Sequence, residues 1–219
     1  MVEWRASAAL ASGTKRIGFC VMMTVPMRPD LINLTIDIEV VSSKWSNALP
    51  DLEATCRQAI IASFMASDTV LSTAVCDRPT EVSVRLSDDD EVFILNKKFR
   101  SKPNPTNVLS FPGISELELE GLPVGAPILL GDVIMAFGMI QNEARQAKKP
   151  LIDHFRHICI HGILHLLGYS HTEDYNARVM EELESAVLAE LKKPTPCAAI
   201  QAGDKSSQDQ IDAGGTSYE

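Results

Sequence analysis

The sequence lacks any long hydrophobic run. No stretch of about 18 consecutive apolar residues, the length that a membrane-spanning helix needs, occurs among its 219 residues. We therefore expect no segment that crosses a membrane.

Cysteine is also sparse: the chain has five cysteines and no Cys-x-x-Cys pair. An odd and unpatterned set argues against a disulfide framework and favours a reducing compartment, so we expect a cytoplasmic protein.

Aromatic residues make up only 5% of the chain, so base stacking on exposed rings is expected to contribute little to any binding of nucleic acid. The formal net charge of −9 by itself also disfavours a nucleic-acid partner. The position of the charges matters more than their sum, however. Acidic residues crowd into 88–91, 116–120 and the stretch after Glu173, while basic residues concentrate elsewhere.

The two ends differ in composition from the middle of the chain. Residues 1–28 are basic and rich in Ala and Ser, which is typical of a targeting segment or of sequence upstream of the true start; we favour the second interpretation. Residues 194–219 are rich in Gly, Ser, Gln and Asp without a periodic apolar face, which predicts disorder. One domain is expected over 29–193.

Hydrophobic periodicity predicts the elements of that domain. Alternating residues predict strands at 31–41, 81–86 and 128–136, where Gly131 marks a bulge or a close approach, and a short β segment at 107–111. Helices are expected at 49–66, after Ser87 as a cap, before Pro150, at 151–167, and at 172–192 with Thr172 as a cap. The residues expected to face the core are Leu52, Cys56, Ile60 and Phe64 in the first helix, Leu151, Phe155, Ile158, Cys159, Ile163 and Leu166 in the helix at 151–167, and Val179, Leu183, Val187 and Leu191 in the last. Residues 112–127 are expected to form a loop. The predicted fold is α/β (α+β), with a four-stranded mixed sheet and packed helices.

All five histidines fall within eighteen positions, and three of them are spaced as metal ligands. His161 and His165 lie one turn apart on one helix face, and Gly168 allows a sharp turn that returns His171 to them. Three imidazoles suit one Zn²⁺ ion, and three protein ligands leave a fourth position for water, as in catalytic zinc sites. The sequence therefore predicts a zinc site at the C-terminal end of a helix. His154 and His157 are expected to be core or supporting residues.

The residue after the first histidine distinguishes this pattern from zinc peptidases. Peptidases with H-E-x-x-H place a glutamate there as the general base, whereas this chain has Gly162. A peptide needs that base because it is a poor electrophile. A phosphodiester develops negative charge on its oxygens during attack, and cations stabilise that charge. The substitution therefore favours an anionic substrate.

Three motifs resemble those of the YbeY endoribonuclease family, the ribosomal RNA maturation factors. HGILHLLGYSH (161–171) is similar to the family pattern H-G-x-L-H-L-x-G-Y-D-H, with Ser170 in place of its aspartate. LNKKFRSKPNPTNVLSFP (95–112) and LLGDVIMA (129–136) resemble two further motifs. The resemblance implies a small α/β fold, one zinc ion on three histidines and cleavage of single-stranded RNA. It also implies roles in maturing the 3′ end of small-subunit rRNA and in ribosome quality control, with the small ribosomal subunit as partner.

Basic residues cluster directly before the predicted short β segment: Lys97, Lys98, Arg100 and Lys102. The resemblance places arginine at position 100, and a guanidinium fork suits bidentate binding of phosphate. We therefore predict Arg100 and His161 as catalytic residues and the cluster as substrate-binding.

Several polar residues are further candidates. Asn107 and Ser110, with Thr106, are predicted to contact RNA or line the cleft, although ordinary strand and turn roles fit them equally. Asp132 is a candidate acceptor for a ligand imidazole, with a sheet-edge role as the alternative.

Two other functions remain open from the sequence. One is a zinc metallopeptidase with metzincin-like ligand spacing, and the other is a non-catalytic ribosome assembly factor in which zinc holds the fold. The oligomeric state is also left open.

Overall fold

The computed structural model describes residues 33–193, except for the side chains of residues 75–77. The expectations for 1–28 and 194–219 lie outside these residues. Within the described part the strands and helices follow one another as β1 (Leu34–Val40), α1 (Ser43–Ala48), α2 (Leu52–Ala66), α3 (Val70–Asp77), β2 (Thr80–Ser87), α4 (Asp89–Arg100), β3 (Val108–Pro112), α5 (Glu116–Gly121), β4 (Ile128–Ala136), α6 (Phe137–Gln146), α7 (Leu151–Leu166) and α8 (Asp174–Leu191). In residues 33–193 we find no helix of sufficient length and hydrophobicity to span a bilayer.

The four strands form one mixed sheet in the order β1-β2-β4-β3. β1 and β4 both run parallel to β2, and β3 runs antiparallel to β4 at the edge. The predicted fold class is confirmed. The predicted bulge is also present, because the pairing of β2 with β4 shifts register at Gly131, whose φ is 134°.

The main hydrophobic core lies between one sheet face and α2, α7 and part of α8. The predicted inner stripe of α2 is buried throughout: Leu52, Cys56, Ile60 and Phe64. Trp45 of α1 is fully buried, packs against Phe137 and Phe155, and donates its indole N–H to the Ser87 carbonyl at 2.8 Å. A smaller cluster around Val92, Leu109 and Ile134 covers the other sheet face beneath α4.

Periodicity did not predict the three shortest helices. α1, α3 and α5 have six to eight residues, too few to repeat an apolar face twice. The prediction of a loop over 112–127 was therefore wrong for α5, which begins with a capping box between Ser115 and Glu118.

Two predicted caps were displaced by one residue. Ser87 remains in β2 because it still pairs with Ala136, and Asp88 caps α4 by accepting from the Glu91 N–H at 3.1 Å. Glu173, not Thr172, precedes α8, and its side chain makes no capping hydrogen bond. The predicted helix at 49–66 likewise begins later, at Leu52, because Pro50 and Asp51 form the turn before it.

Candidate metal centre

α7 carries two of the three predicted ligands, and its sequence explains their orientation. The residues predicted to face the core are buried or half-buried in the structure: Leu151, Phe155, Ile158, Cys159, Ile163 and Leu166. His161 and His165 occupy another side of the helix and stay half-exposed. The helix ends as predicted, because Gly168 adopts a φ of 92° that a residue with a side chain rarely tolerates.

The turn after α7 brings His171 back to the other two histidines. The Nε2 atoms of His161 and His165 lie 3.1 Å apart, and one nitrogen from each of the three rings falls within 4.8 Å of the others. The ring centroid of His171 is 5.0 Å from that of His165 and 5.6 Å from that of His161. The structure thus brings together the three residues that the sequence predicted, in an arrangement that can hold one metal ion.

Hydrogen bonds fix the orientation of both imidazoles on α7. The Nδ1 of His161 lies 2.7 Å from Oε1 of Glu184, and the Nδ1 of His165 lies 3.0 Å from the carbonyl oxygen of Tyr169. When Nδ1–H donates to these acceptors, Nε2 carries the lone pair. Metal-binding histidines characteristically use such a partner, which sets both the tautomer and the ring plane.

Burial and neighbouring charges keep the site in a form that can bind metal. Burial lowers the pKa of His165 to about 4, and the nearby charges of His161, His171 and Arg100 add to the shift, against the hydrogen bond that His165 donates to the Tyr169 carbonyl, which raises it. His165 is therefore neutral at physiological pH. Burial raises the pKa of Glu184, but its hydrogen bonds with His157 and His161 outweigh that effect and lower it to about 2. Glu184 is therefore an ionised acceptor.

Glu184 is the site residue that sequence reasoning missed. The inner face of α8 was predicted from Val179, Leu183, Val187 and Leu191. Val187 is buried and Leu183 and Leu191 are partly buried against the core, but Met180 and Glu184 are buried there too. Glu184 is 6% exposed and accepts from His157 as well as His161, at 2.9 and 2.7 Å. The available signal was an acidic residue in phase with Met180 and Val187 on an otherwise apolar face.

The other two histidines, which were expected to be core or supporting residues, both contact carboxylates. His157 contacts Glu184, and Nε2 of His154 lies 2.8 Å from the Glu143 carboxylate. Neither belongs to the trio of ligand nitrogens found among the described residues.

Gly162 faces the sheet and not the metal centre. A Cβ built there would lie 2.8 Å from Cγ1 of Val133 and 3.3 Å from Cγ2 of Val108. The hydroxyl of Ser110 also donates to the Gly162 carbonyl at 3.0 Å. The glutamate of a peptidase therefore has no room at this position, because α7 lies too close to β3 and β4.

The predicted basic cluster lies at the end of α4 and just beyond it. Arg100 is exposed, donates through Nη2 to the Ser110 carbonyl at 3.2 Å, and lies close enough to His165 to lower its pKa. Lys97, Lys98 and Lys102 are exposed around it, and the Nζ of Lys98 lies 5.1 Å from the ring of Phe99. The structure ties Arg100 to Ser110, whose hydroxyl binds α7 at Gly162 next to His161, and leaves the three lysines exposed.

The remaining predicted residues have partners within the protein. Nδ2 of Asn107 donates to both carboxylate oxygens of Glu143, at 3.1 and 3.0 Å. The hydroxyl of Thr106 donates to the Val108 carbonyl at 3.3 Å, and Ser110 is buried with its hydroxyl bound to α7.

Asp132 does not have either of its expected roles. Its side chain is exposed on β4, which is an interior strand of the sheet, so the sheet-edge alternative is wrong. Glu184 and the Tyr169 carbonyl are the acceptors for His161 and His165.

Comparison with known proteins gives a consistent result. The family model described as Endoribonuclease YbeY matches residues 49–192. The Endoribonuclease YbeY of Paramagnetospirillum magneticum is 41% identical over 160 residues, which cover 73% of this chain and 93% of that protein. That of Zymomonas mobilis is 41% identical over 175 residues, covering 79% and 97%. A Thermotoga maritima protein solved in solution is 24% identical with a TM-score of 0.45, covering 81% of this chain and all of that one. On the family match and the identity to these relatives, the chain belongs to the YbeY endoribonuclease family.

Proposed function

We propose that this protein is a metal-dependent endoribonuclease that cleaves single-stranded RNA. We place its action in the maturation of the small-subunit rRNA 3′ end and in ribosome quality control, in the cytoplasm and on the small ribosomal subunit. The observation that carries the proposal is the convergence of His161, His165 and His171, whose ligand nitrogens lie within 4.8 Å of one another. Membership of the endoribonuclease family supplies the class of substrate.

The donor set fits zinc. Three imidazole nitrogens suit Zn²⁺, and the two hydrogen-bonded Nδ1 atoms leave Nε2 of His161 and His165 as donors. A bound zinc ion supplies Lewis acidity, which acidifies water and stabilises negative charge on a phosphodiester. The protein's own contribution is to keep His165 neutral through burial and to orient His161 through Glu184.

Arg100 is proposed to bind the scissile phosphate. One of its N–H groups is used by the Ser110 carbonyl, which positions the guanidinium at the edge of the site. The remaining donors of the fork are available to phosphate oxygens, on which negative charge increases during attack. Lys97, Lys98 and Lys102 are proposed to attract the neighbouring backbone, since all three are exposed within three residues of Arg100.

Asn107 and Ser110 are proposed to serve the substrate in different ways. Asn107 lines the pocket beside His161, so it can contact RNA directly. Ser110 acts on the substrate indirectly, because its hydroxyl is committed to α7 and its carbonyl to Arg100.

The two alternatives account for less of the site. A peptidase needs a base beside His161, and the packing around Gly162 excludes a side chain there. A purely binding assembly factor has no need of an open three-histidine site with a neighbouring arginine. His161→Ala separates that alternative from catalysis: a folded variant that still restores subunit maturation in a depleted strain would support the binder.

The proposal is tested by metal analysis joined to an RNA cleavage assay. The purified protein is expected to contain about one zinc per chain. It should cleave single-stranded RNA, lose cleavage on chelation and regain it with added zinc. Cleavage that persists in chelator, or activity on unstructured protein and none on RNA, would overturn the proposal.

Replacing Arg100 tests its role separately. Arg100→Ala should lower cleavage by about 100-fold, because one preorganised donor group to the developing charge is lost. Zinc content should remain that of the wild type, since Arg100 is not a proposed ligand. Arg145→Ala, at an exposed position on α6, is the matched control and should cleave normally. Full activity of Arg100→Ala would refute the assignment.

A further inference from the structure

A pocket of about 510 Å³ lies between α7 and α8, next to the histidine trio. His161 and His171 form part of its wall, so it opens directly onto the proposed metal centre. Its volume is within the range of pockets that bind small molecules. A chemical group held there would adjoin the phosphate that is cleaved.

The described side chains that line the pocket carry no permanent positive charge that would attract a phosphate. Its acidic lining residues are Glu181 and Glu184, and neither lysine nor arginine contributes to its wall within residues 33–193. Arg100 does not line the pocket and donates instead to the Ser110 carbonyl of β3. A phosphodiester backbone should therefore run past Arg100, and a neutral part of the substrate should enter the pocket.

The floor of the pocket is apolar. Ile158 is 6% exposed, Met180 is 1% exposed, and Ala177 completes the surface on α8. A flat ring system gains from contact with such a surface, and a thioether interacts favourably with aromatic rings. The neutral part of RNA with these properties is the nucleobase.

Two polar groups at the pocket are hydrogen-bond acceptors, and the hydroxyl of Ser185, which also lines it, can donate or accept. Asn107 is held by Glu143, to which its Nδ2 donates, and Glu143 is held in turn by His154 at 2.8 Å. This leaves Oδ1 of Asn107 to accept from a ligand. The carboxylate of Glu181 is a second acceptor on the wall. Acceptors select a partner that donates. An exocyclic amino group of adenine, cytosine or guanine offers two N–H bonds and can reach both acceptors, whereas uracil offers only its single N3–H.

We propose that this pocket binds a nucleobase of the RNA next to the cleaved linkage, and that it favours amino-bearing bases over uracil. This inference rests on the proposed function, because it names part of the substrate of the same site. It gives the site two separate binding elements: Arg100 binds phosphate, and the pocket binds a base.

The test compares oligoribonucleotides that differ at the nucleotides on either side of the cleaved linkage. Each in turn carries adenine, uracil or no base, with a 2′-O-methyl ribose at the cleavage position for binding measurements. Fluorescence anisotropy with the zinc-loaded protein should show about tenfold weaker binding when the base on one side is removed. Uracil should bind between adenine and the abasic form. Equal affinities for all forms on both sides would overturn the proposal.

A pair of variants locates the effect in the pocket. Ala177→Trp fills it, whereas Ala189→Trp places the same side chain at an exposed position of α8. The Ala177→Trp variant should bind the adenine and abasic oligonucleotides equally, and Ala189→Trp should keep the wild-type difference. A base effect that survives in folded Ala177→Trp would place base recognition elsewhere and refute the assignment.

The cleavage assay tests the proposed function, and the affinity series tests the pocket, so the two proposals can fail independently. If the wild type cleaves no RNA, the proposed function is wrong, while the affinity series still decides whether the pocket recognises a base. If Ala177→Trp does not fold by circular dichroism, the wild-type series on its own decides the outcome.

Discussion

At the scale of single residues, one buried carboxylate organises the centre. Glu184 binds His157 with one oxygen and His161 with the other, and its low pKa keeps it ionised. Its charge favours the Nδ1–H tautomer of His161 and leaves Nε2 for a metal. The affinity for metal should therefore depend on a residue that never touches it.

Glu184→Gln tests that dependence. The amide keeps the shape but loses the charge, so zinc affinity should fall by about 10- to 100-fold. Competition with a chromophoric chelator measures it. Glu182→Gln, at an exposed position on the same helix, is the matched control and should bind zinc like the wild type. Equal affinities in the two variants would contradict the role.

The pKa of His165 predicts how the metal-free protein responds to acid. The imidazole has a pKa of 6.5 in the unfolded chain and about 4 in the folded one. Between these two pH values the unfolded state binds a proton at this position and the folded state does not. The stability associated with neutral His165 is thus complete above pH 6.5 and is lost progressively as the pH falls to about 4. Urea unfolding of metal-free protein across this window measures the loss. The free energy of unfolding of His165→Asn should fall less steeply with decreasing pH than that of the wild type. An identical fall in the two proteins would refute the role of His165.

At the scale of elements, the approach of α7 to the sheet positions the ligands. Gly162 allows the helix to lie against Val133 and Val108, and the Ser110 hydroxyl ties it to β3. The turn that follows is anchored by Tyr169, whose hydroxyl donates to Asp68 at 3.0 Å. His161, His165 and His171 are therefore held by contacts on both sides of the helix end.

A methyl group at position 162 should disturb this contact. Gly162→Ala places Cβ 2.8 Å from Val133, so the free energy of unfolding should fall by about 1–3 kcal/mol despite the better helix propensity of alanine. Gly121→Ala is the control, because a Cβ there meets nothing within 4 Å. Urea denaturation compares the two variants. Stability of Gly162→Ala equal to or above that of the wild type would show that the packing is not limiting.

At the scale of the whole molecule, the chain is acidic but a group of positive charges lies at one end of α4, near the site. The net charge is −9, yet Lys97, Lys98, Arg100 and Lys102 are all exposed at one end of α4. Most of the surface should repel RNA while this end attracts it, so that binding is both local and sensitive to salt.

The salt dependence of RNA binding should report how many of these cations contact phosphates. If four of them contact phosphates, the logarithm of affinity for a single strand should fall against the logarithm of salt concentration with a slope of about −3. A variant with Lys97, Lys98 and Lys102 replaced by Ala should bring the slope closer to zero by about 2. Anisotropy titrations over a range of NaCl concentrations measure both slopes. An unchanged slope would mean that the phosphates bind elsewhere.

Local spacing in the sequence determined the ligand trio, the turn at Gly168, the inner stripe of α2 and the strands of the sheet. Each of these depends on residues a few positions apart, so periodicity and turn chemistry are sufficient to predict them. The short helices and the exact caps were less predictable. A six-residue helix has too few positions for a periodic pattern. Ser87 and Asp88 are equally suitable caps by residue type, and only the pairing of Ser87 in the sheet leaves Asp88 as the cap.

Tertiary structure alone decided what surrounds the trio. Glu184 reaches His161 across 23 positions of chain, and Ser110 reaches Gly162 across 52, so no local pattern could pair them. The same packing decided that position 162 faces valine side chains and has no space for a base. Sequence thus specified which side chains can bind the metal. The packing of α7 between the sheet and α8 decided their partners, because burial and hydrogen bonding depend on neighbours that only folding brings together.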